Sequence, residues 1–251
     1  DLTLKNPSKV EEWSKRLNAY VLPNKSLRLS NYGRIEDLEG FYEGEWWVQD
    51  AAASFPARMI DNSLNYEIAD LCAAPGGKTA QLAALGAKVT AVDESKTRMK
   101  RLIENLSRLN LDVVLVEQDI LKWTPLNELK QVLLDAPCSA LGTFRRNPDV
   151  ASKINQSKLK RNQKIQMQML DKAINILDEN GIIVYIVCSF HPFETINVID
   201  KIAQKHKNIR TLSLDSDKMI KRQNGYFINP LKFKDLGGSD IFFVSVLKKT
   251  K

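Results

Sequence analysis

The chain has 251 residues, 37 of them Lys or Arg and 30 Asp or Glu, for a formal net charge of +7. With 43 % hydrophobic and 27 % charged residues, it excludes a collagen-like or wholly disordered protein and has ample length for a sizeable core. No apolar run approaches the ~20 residues of a membrane helix, so no membrane partner is expected, and the positive charge favours an acidic partner such as nucleic acid.

The chain starts at Asp1 with neither an initiator Met nor an apolar signal core, which points to an internal start within a longer protein. Residues 1–48 hold Pro7, Pro23, Gly33, Gly40 and Gly44, a short helix at VEEWSKRL and a strand at SLRLS; they read as a small α+β appendage. WWVQDAAASFPARMI, 46–60, reads as a helix leading into a second domain spanning 49–251. From Tyr66 onward the pattern is strand, loop, helix. Strands are expected at 66–71 (YEIADL), 88–93 (KVTAVD), 113–119 (VVLVEQD), 131–137 (QVLLDAP), 182–189 (IIVYIVCS) and 241–249 (IFFVSVLKK). The first helix runs through 81–85. The second carries Met99, Leu102, Ile103, Leu106 and Leu109 at helical spacing. The third, 158–177, places Ile165, Met169, Ala173, Ile174 and Leu177 on its apolar face and stops at Gly181; a fourth covers 192–204. The early strands are continuous apolar runs. That pattern belongs to strands buried on both faces, and it predicts an α/β fold with a mostly parallel, doubly wound sheet and helices on both faces.

Such sheets bind ligands at the carboxyl ends of their strands, where the unusual residues of this chain gather. The loop Cys72, Ala73, Ala74, Pro75, Gly76, Gly77, Lys78 joins a strand to a helix; its small residues admit a ligand and the helix amides favour an anion. It approaches a phosphate loop, but Cys72 stands where the first glycine belongs and Pro75 lacks an amide, which argues against a nucleotide triphosphatase. Asp93 lies ~20 residues past the loop, where an acid commonly holds ribose hydroxyls, and Asp119 ends the next strand, within range of an adenine amino group. Together they describe a pocket for an adenosine-bearing ligand with one anionic group, which S-adenosylmethionine fits. Asp135 and Cys138 end the fourth strand and Cys188 the fifth. Two cysteines and an aspartate at adjacent strand mouths suit thiol attack on a pyrimidine ring. Arg145 and Arg146 follow at the same rim, extended by Lys153, Lys158, Lys160, Arg161 and Lys164, and suit phosphate contact. Three scattered cysteines predict a reducing, cytoplasmic location, and two histidines without ligand spacing predict no metal site.

DLCAAPGGKT, LLDAPCSALGTFRRNPD and the strand-terminal Cys188-Ser189 resemble the three signature motifs of the RsmB/Nop/Sun family, RNA cytosine-5 methyltransferases that use S-adenosylmethionine. EGEWWVQDAAASFPAR resembles the family's entry segment and GGSDIFFVSVLKK its closing strand, so the resemblance covers nearly the whole chain. It is strongest to the bacterial Sun/RsmB type, which modifies small-subunit (16S) ribosomal RNA and carries an N-terminal NusB-like domain absent from these residues. The resemblance implies a class I, Rossmann-like methyltransferase domain with an RNA-contacting appendage, acting on ribosomal RNA; a monomer is expected, although the sequence itself does not give the oligomeric state. It puts cofactor contacts at Cys72 to Lys78, Asp93, Asp119 and Asp135, with Arg98 beside them. The nucleophile falls on Cys188 and the second cysteine on Cys138, with Asp135 as a catalytic partner. Three positions depart from the family: Val187 in place of Thr, Glu194 as the remnant of a glutamate–asparagine–glutamate run, and Ile241 in place of Gly. A tRNA cytosine-5 methyltransferase is the alternative within the chemistry. An amino-group methyltransferase is disfavoured because DAPC lacks a second proline and an aromatic. Asp135, Cys138 and Cys188 argue against a non-catalytic RNA-binding protein.

Overall fold

The computed structural model describes residues 1–60, 67–214 and 217–251. Its first 48 residues build a small antiparallel sheet from β1 (Leu2–Leu4), β2 (Tyr20–Val21), β3 (Leu27–Arg28) and β4 (Trp46–Val48), in the order β2-β3-β1-β4, with helix α1 (Val10–Arg16) alongside. Leu2, Leu4, Trp13, Leu27 and Trp46 form its core. The helix expected at 46–60 is instead β4 followed by two 3₁₀ turns, Ala52–Ser54 and Pro56–Met59. The reason is pairing. Leu2, Thr3 and Leu4 lie opposite Val48, Trp47 and Trp46. An extended backbone sends the two tryptophans to opposite faces, Trp46 into the core of the small sheet and Trp47 against Ala73, Ala74 and Leu102.

The remaining elements are β5 (Glu67–Leu71), α2 (Gly77–Ala84), β6 (Lys88–Asp93), α3 (Lys96–Leu109), β7 (Val114–Glu117), β8 (Leu129–Asp135), α4 (Gln156–Asn175), β9 (Leu177–Val187), α5 (Ile196–Lys205), β10 (Ile209–Thr211), β11 (Met219–Arg222), β12 (Gly225–Ile228) and β13 (Phe243–Lys249). They form one sheet in the order β11-β12-β13-β9-β8-β5-β6-β7, with β10 on β13. β5 to β9 run parallel, while β13 closes antiparallel against β9. This is the expected mostly parallel, Rossmann-like sheet, and its strand order reverses between β5 and β8, which opens a crevice at their carboxyl ends. Helices cover both faces. Val132 and Leu134 pack with Leu170, Ala173, Val198 and Ile202 on one side, and Leu133 packs with Leu82, Val184 and Phe55 on the other.

Several expectations shift. Tyr66 lies outside the described residues, and the strand runs from Glu67. Helix α4 ends at Asn175, and Leu177 already pairs with Leu129 in β9, so Gly181 sits inside that strand. The register shifts between Leu129 and Gln131, and a Cβ on Gly181 would come within 2.7 Å of the Leu177 side chain. The buried face of α4 includes Gln163 and Gln166, whose amides donate to the carbonyls of Phe193 and Pro137. These carbonyls draw two polar side chains inward, while Ile165 and Met169 lie at the flank. Ile103 is exposed on α3. The helix expected at 192–204 begins as a 3₁₀ turn, Pro192–Glu194, before α5. The hairpin of β11 and β12, whose residues lack a long apolar run, had no counterpart in the sequence reading.

Asp70, in the middle of β5, is fully buried. One carboxylate oxygen accepts the Thr79 hydroxyl at 2.6 Å and so ties α2 to the sheet; the other has no partner among the described residues. Burial, reinforced by the negative charges of Asp135 and Asp93, pushes this carboxyl up to about 7 against the opposing pull of Thr79 and Lys78. A carboxyl raised on folding favours the native state only while it is protonated, so its contribution is lost as pH rises from about 4 to about 7. Asp70→Asn keeps the shape and removes the charge. Its thermal midpoint relative to the parent should therefore rise between pH 5 and pH 8 in paired melts; a difference that stays flat over that range would show that Asp70 does not titrate there.

Candidate active site

The loop after β5 turns at Cys72, which has a positive φ of 61°, and again at Gly76, with φ 102°. A Cβ on Gly76 would lie 2.2 Å from Leu102 Cδ1, so α3 packs against the loop where only glycine fits. The first amides of α2 follow, facing the mouth of the sheet with no carbonyl from a preceding turn. Asp93 holds this loop from the end of β6. It is only 1 % exposed and accepts the Ala74 amide at 3.2 Å, the Ser95 amide at 2.9 Å and Arg98 Nη2 at 3.0 Å. Asp119 caps the turn after β7 by accepting the Leu121 amide at 2.9 Å. Burial pushes the Cys72 thiol up, and its sulfur lies 4.0 Å from Met169 Sδ, so this cysteine behaves as a core residue.

Lys78 turns toward the next strand. Its Nζ donates to Asp135 Oδ2 at 2.7 Å and stands 5.1 Å from the centre of the Phe242 ring. Burial works against the ammonium, but Asp135 and Asp70 outweigh it, and Lys78 is held above its ordinary value. The result is a charged, nearly enclosed amine locked to a carboxylate that remains about one-third exposed. That pair was not visible in the sequence, where Lys78 read only as the end of a glycine-rich loop.

Beside it, Cys138 and Cys188 bring their sulfurs within 3.4 Å of each other. The Cys138 thiol is held well above its usual range by its contact with Cys188, by burial, and by the nearby Glu194 charge. Behind both cysteines lies Glu194, fully buried. It accepts the Ser139 amide and Asn162 Nδ2 on one oxygen, both at 2.7 Å, and the hydroxyls of Ser139 and Ser189 on the other, at 2.5 and 2.6 Å. In the sequence Glu194 shows only as the remnant of a motif; the signal for its role is the serine that follows each cysteine.

Arg145 and Arg146 have partners within the fold. Arg145 Nη2 lies 3.2 Å from Asp50, and Arg146 Nε lies 2.7 Å from Asp240. Burial, with Asp50 next to it, pushes the Asp240 carboxyl up despite both arginines. The two arginines keep about half of their side-chain surface in solvent, so they join the loop after β8 to the segment before β13 while still facing outward. Lys153, Lys158, Lys160, Arg161 and Lys164 are exposed on and before α4.

A cleft of about 740 Å³ opens between the small sheet and the loop; Trp47 and Gln49 line it on one side and Gly76, Lys78 and Asp135 on the other. Its volume is in the range of small-molecule sites. The structure thus brings Cys72 to Lys78, Asp135, Cys138 and Cys188 to one end of the sheet. Asp93 and Asp119 stand at the ends of neighbouring strands and outside the cleft lining. Among the described residues no three His, Cys, Asp or Glu side chains are grouped as metal ligands, and no helix is long and apolar enough to cross a membrane.

Comparison with known proteins matches residues 57–248 to the family described as 16S rRNA methyltransferase RsmB/F. Ribosomal RNA small subunit methyltransferase B of Serratia proteamaculans is 35 % identical over 204 residues, which cover 79 % of this chain and 48 % of that protein. The crystal structure of PH0851 superposes with a TM-score of 0.91 at 26 % identity, covering 99 % of this chain and 59 % of that one. NSun6 from Pyrococcus horikoshii, solved with SFG, superposes at 0.75 with 25 % identity, covering 90 % and 60 %. The chain spans about half the length of the curated relatives it matches. With the family match extending from the turns before β5 into β13, the chain belongs to the RsmB/F family of 16S rRNA methyltransferases, whose members depend on S-adenosylmethionine.

Proposed function

We propose that this chain transfers a methyl group to C5 of a cytosine in RNA, with small-subunit ribosomal RNA as the substrate, through a covalent bond between Cys188 and C6. The observation that carries the reading is the 3.4 Å approach of the Cys138 and Cys188 sulfurs, at strand ends beside the Lys78–Asp135 pair. The substrate class follows from the relatives' names and from the exposed basic rim. The appendage 1–48, as one wall of the cleft, is our candidate for an RNA-contacting domain.

The strand ends fit S-adenosylmethionine, which supplies the methyl group when bound. Free amides at the start of α2 suit its carboxylate. Asp93 has used three of the roughly four acceptor positions of a carboxylate, and Arg98 is the half-exposed partner a ribose would displace. Asp119 has one carboxylate oxygen engaged in its turn and the other left for an adenine amine. SFG, the analogue held by the NSun6 structure, is of the same chemical class. We expect S-adenosylmethionine to raise the thermal midpoint of the protein in a concentration-dependent way. Mg²⁺-ATP should not do so, since Lys78 is committed to Asp135. Stabilisation by Mg²⁺-ATP alone would overturn the cofactor assignment.

Cytosine C5 is too weak a nucleophile to take a methyl group unaided. Addition of a thiolate at C6 moves electron density toward C5 and divides one hard step into two. We assign that role to Cys188, where the family motif puts the nucleophile, at the end of β9 and within range of Lys78. Asp135 holds the ring N3 through the proton that N3 takes up as charge develops there, a proton that the Lys78 ammonium can supply by way of the carboxylate. The C5 proton then passes to a base as the C6–sulfur bond breaks and Cys188 leaves as thiolate; Cys138 in its thiolate form, 3.4 Å from the Cys188 sulfur, is the side chain placed to take it. The target base must be unpaired or flipped out for its ring to meet the thiols. Cys188→Ala should abolish both methyl transfer and covalent capture by RNA containing 5-fluorocytosine. Cys138→Ala should still form the adduct and release product more slowly, by roughly the 10²- to 10⁴-fold of a general acid–base group. Transfer to ribosomal and tRNA transcripts, followed by nucleoside analysis, separates the two RNA classes. Adduct formation by the Cys188 variant but not by the Cys138 variant would reverse the roles.

A further inference from the structure

We propose that Glu194 is a positioning residue that sets the spacing of the two cysteines, by tying the turns that carry them to one buried carboxylate. The proposal deepens the cytosine reading and rests on it for its catalytic consequence. Ser139 follows Cys138 after β8, and Ser189 follows Cys188 after β9. Each donates its hydroxyl to the same oxygen, Glu194 Oε2, at 2.5 and 2.6 Å, and the hydroxyls lie 3.2 Å apart. The other oxygen accepts the Ser139 amide and the Asn162 amide from α4, both at 2.7 Å. The Glu194 carbonyl in turn accepts Tyr185 Oη at 2.9 Å, which fastens residue 194 to β9 itself.

All four donors to the carboxylate are neutral. A fully buried carboxylate is tolerated only when its acceptor positions are filled, and here they are filled by groups from three separate elements. The carboxylate therefore draws the two turns together, and the sulfurs on the adjacent residues are brought along. Without it, the buried Ser139 amide would lose its partner and the two hydroxyls would keep only each other. The turns could satisfy them only by separating toward water. The same logic accounts for Ser after each cysteine: its hydroxyl reaches inward to the carboxylate.

The spacing can be read without RNA. Phenylarsine oxide binds stably only where two thiols reach one arsenic, so its capture rate reports the distance between Cys138 and Cys188, with Cys188→Ser as the blank. Three variants carry the test. Glu194→Ala removes the tether. Ser189→Ala releases only the β9 turn and serves if the first does not fold. Glu194→Gln keeps the shape, because both serine hydroxyls can reverse and accept from its amide. Capture should slow at least ten-fold in Glu194→Ala and Ser189→Ala and stay close to the parent rate in Glu194→Gln. In methylation assays the first two should lose about 10²-fold in kcat, the size of effect that ~1 Å of misplacement produces, with KM for RNA unchanged. Parental capture by both Glu194→Ala and Ser189→Ala would overturn the proposal, and so would a Gln variant as slow as the Ala one. If the capture series holds but the parent never methylates cytosine, the cytosine reading fails and the spacing role of Glu194 stands.

Discussion

The parallel register between β8 and β9 is the constraint on which the site depends. Asp135 stands opposite Ile186, and the Ala136 amide donates to the Ile186 carbonyl at 3.0 Å. The two strands therefore leave the sheet side by side, one reaching Cys138 three residues beyond Asp135 and the other reaching Cys188 two residues beyond Ile186. A slip of one residue would send every side chain of β9 to the opposite face, and the burial pattern forbids it. Ile183, Tyr185 and Val187 pack toward α4 and α5, while Val184 and Ile186 pack toward the other helical layer. Core packing thus fixes a relation between two thiols that no local turn could fix. Gly142 extends the same geometry outward. Its amide donates to the Cys188 carbonyl and its carbonyl accepts from Ile241, and an added Cβ would meet Ile241 O at 1.8 Å. The loop after Cys138, the end of β9 and the segment before β13 are laced through one glycine.

Charge at the strand ends is organised by the same economy. Asp70, Asp93, Asp135 and Glu194 all lie in or near the rim, and each is satisfied differently. Asp135 has an ammonium, Asp93 has two amides and a guanidinium, Glu194 has neutral donors only, and Asp70 has one hydroxyl. An unpaired buried charge is far more costly than an unpaired surface one, and Asp70, with a single hydroxyl, is the least well provided for. Lys78 stays charged because it has Asp135 and Asp70 close by; Asp70 is the one pushed toward neutrality. The amine that in a phosphate loop would meet a nucleotide is instead used to hold a carboxylate at the reacting edge.

Much of this was legible in the sequence, for physical reasons that also explain the gaps. Strands such as 88–93 and 182–187 are long apolar runs buried on both faces, and such runs show directly in the residues. Motif residues at strand ends were legible because the loop chemistry, Pro75 and Gly76 among it, is local. Trp46 and Trp47 misled because their strand is made by pairing with Leu2–Leu4, some forty residues away. Gln163 and Gln166 misled because their burial is decided by distant carbonyls. The Lys78–Asp135 and Glu194 contacts span 57 and 55 residues respectively, and nothing in local pattern announces a partner at that range. Asp93 shows the intermediate case: its place in the chain was legible, but its engagement with Ala74 and Arg98 was not.

The small N-terminal sheet completes the argument because it is attached at several points around the cleft it walls. Lys5 Nζ donates to the Leu109 carbonyl at the end of α3, and Arg108 returns the contact to the carbonyls of Phe41 and Trp46. Gly44 lies directly over that helix end, where a Cβ would come within 2.3 Å of Arg108 O. On the far side Arg28 donates to the carbonyls of Leu236 and Gly238, next to the segment that Arg145 and Arg146 hold through Asp50 and Asp240. Gln49 bridges the gap between these anchors by reaching Gln81 on α2. A wall held by hydrogen bonds at both ends and in the middle has little freedom left to lose. A ligand entering between that wall and Lys78–Asp135 therefore meets a surface already in place, and the ordering cost that weakens binding to mobile surfaces is largely absent.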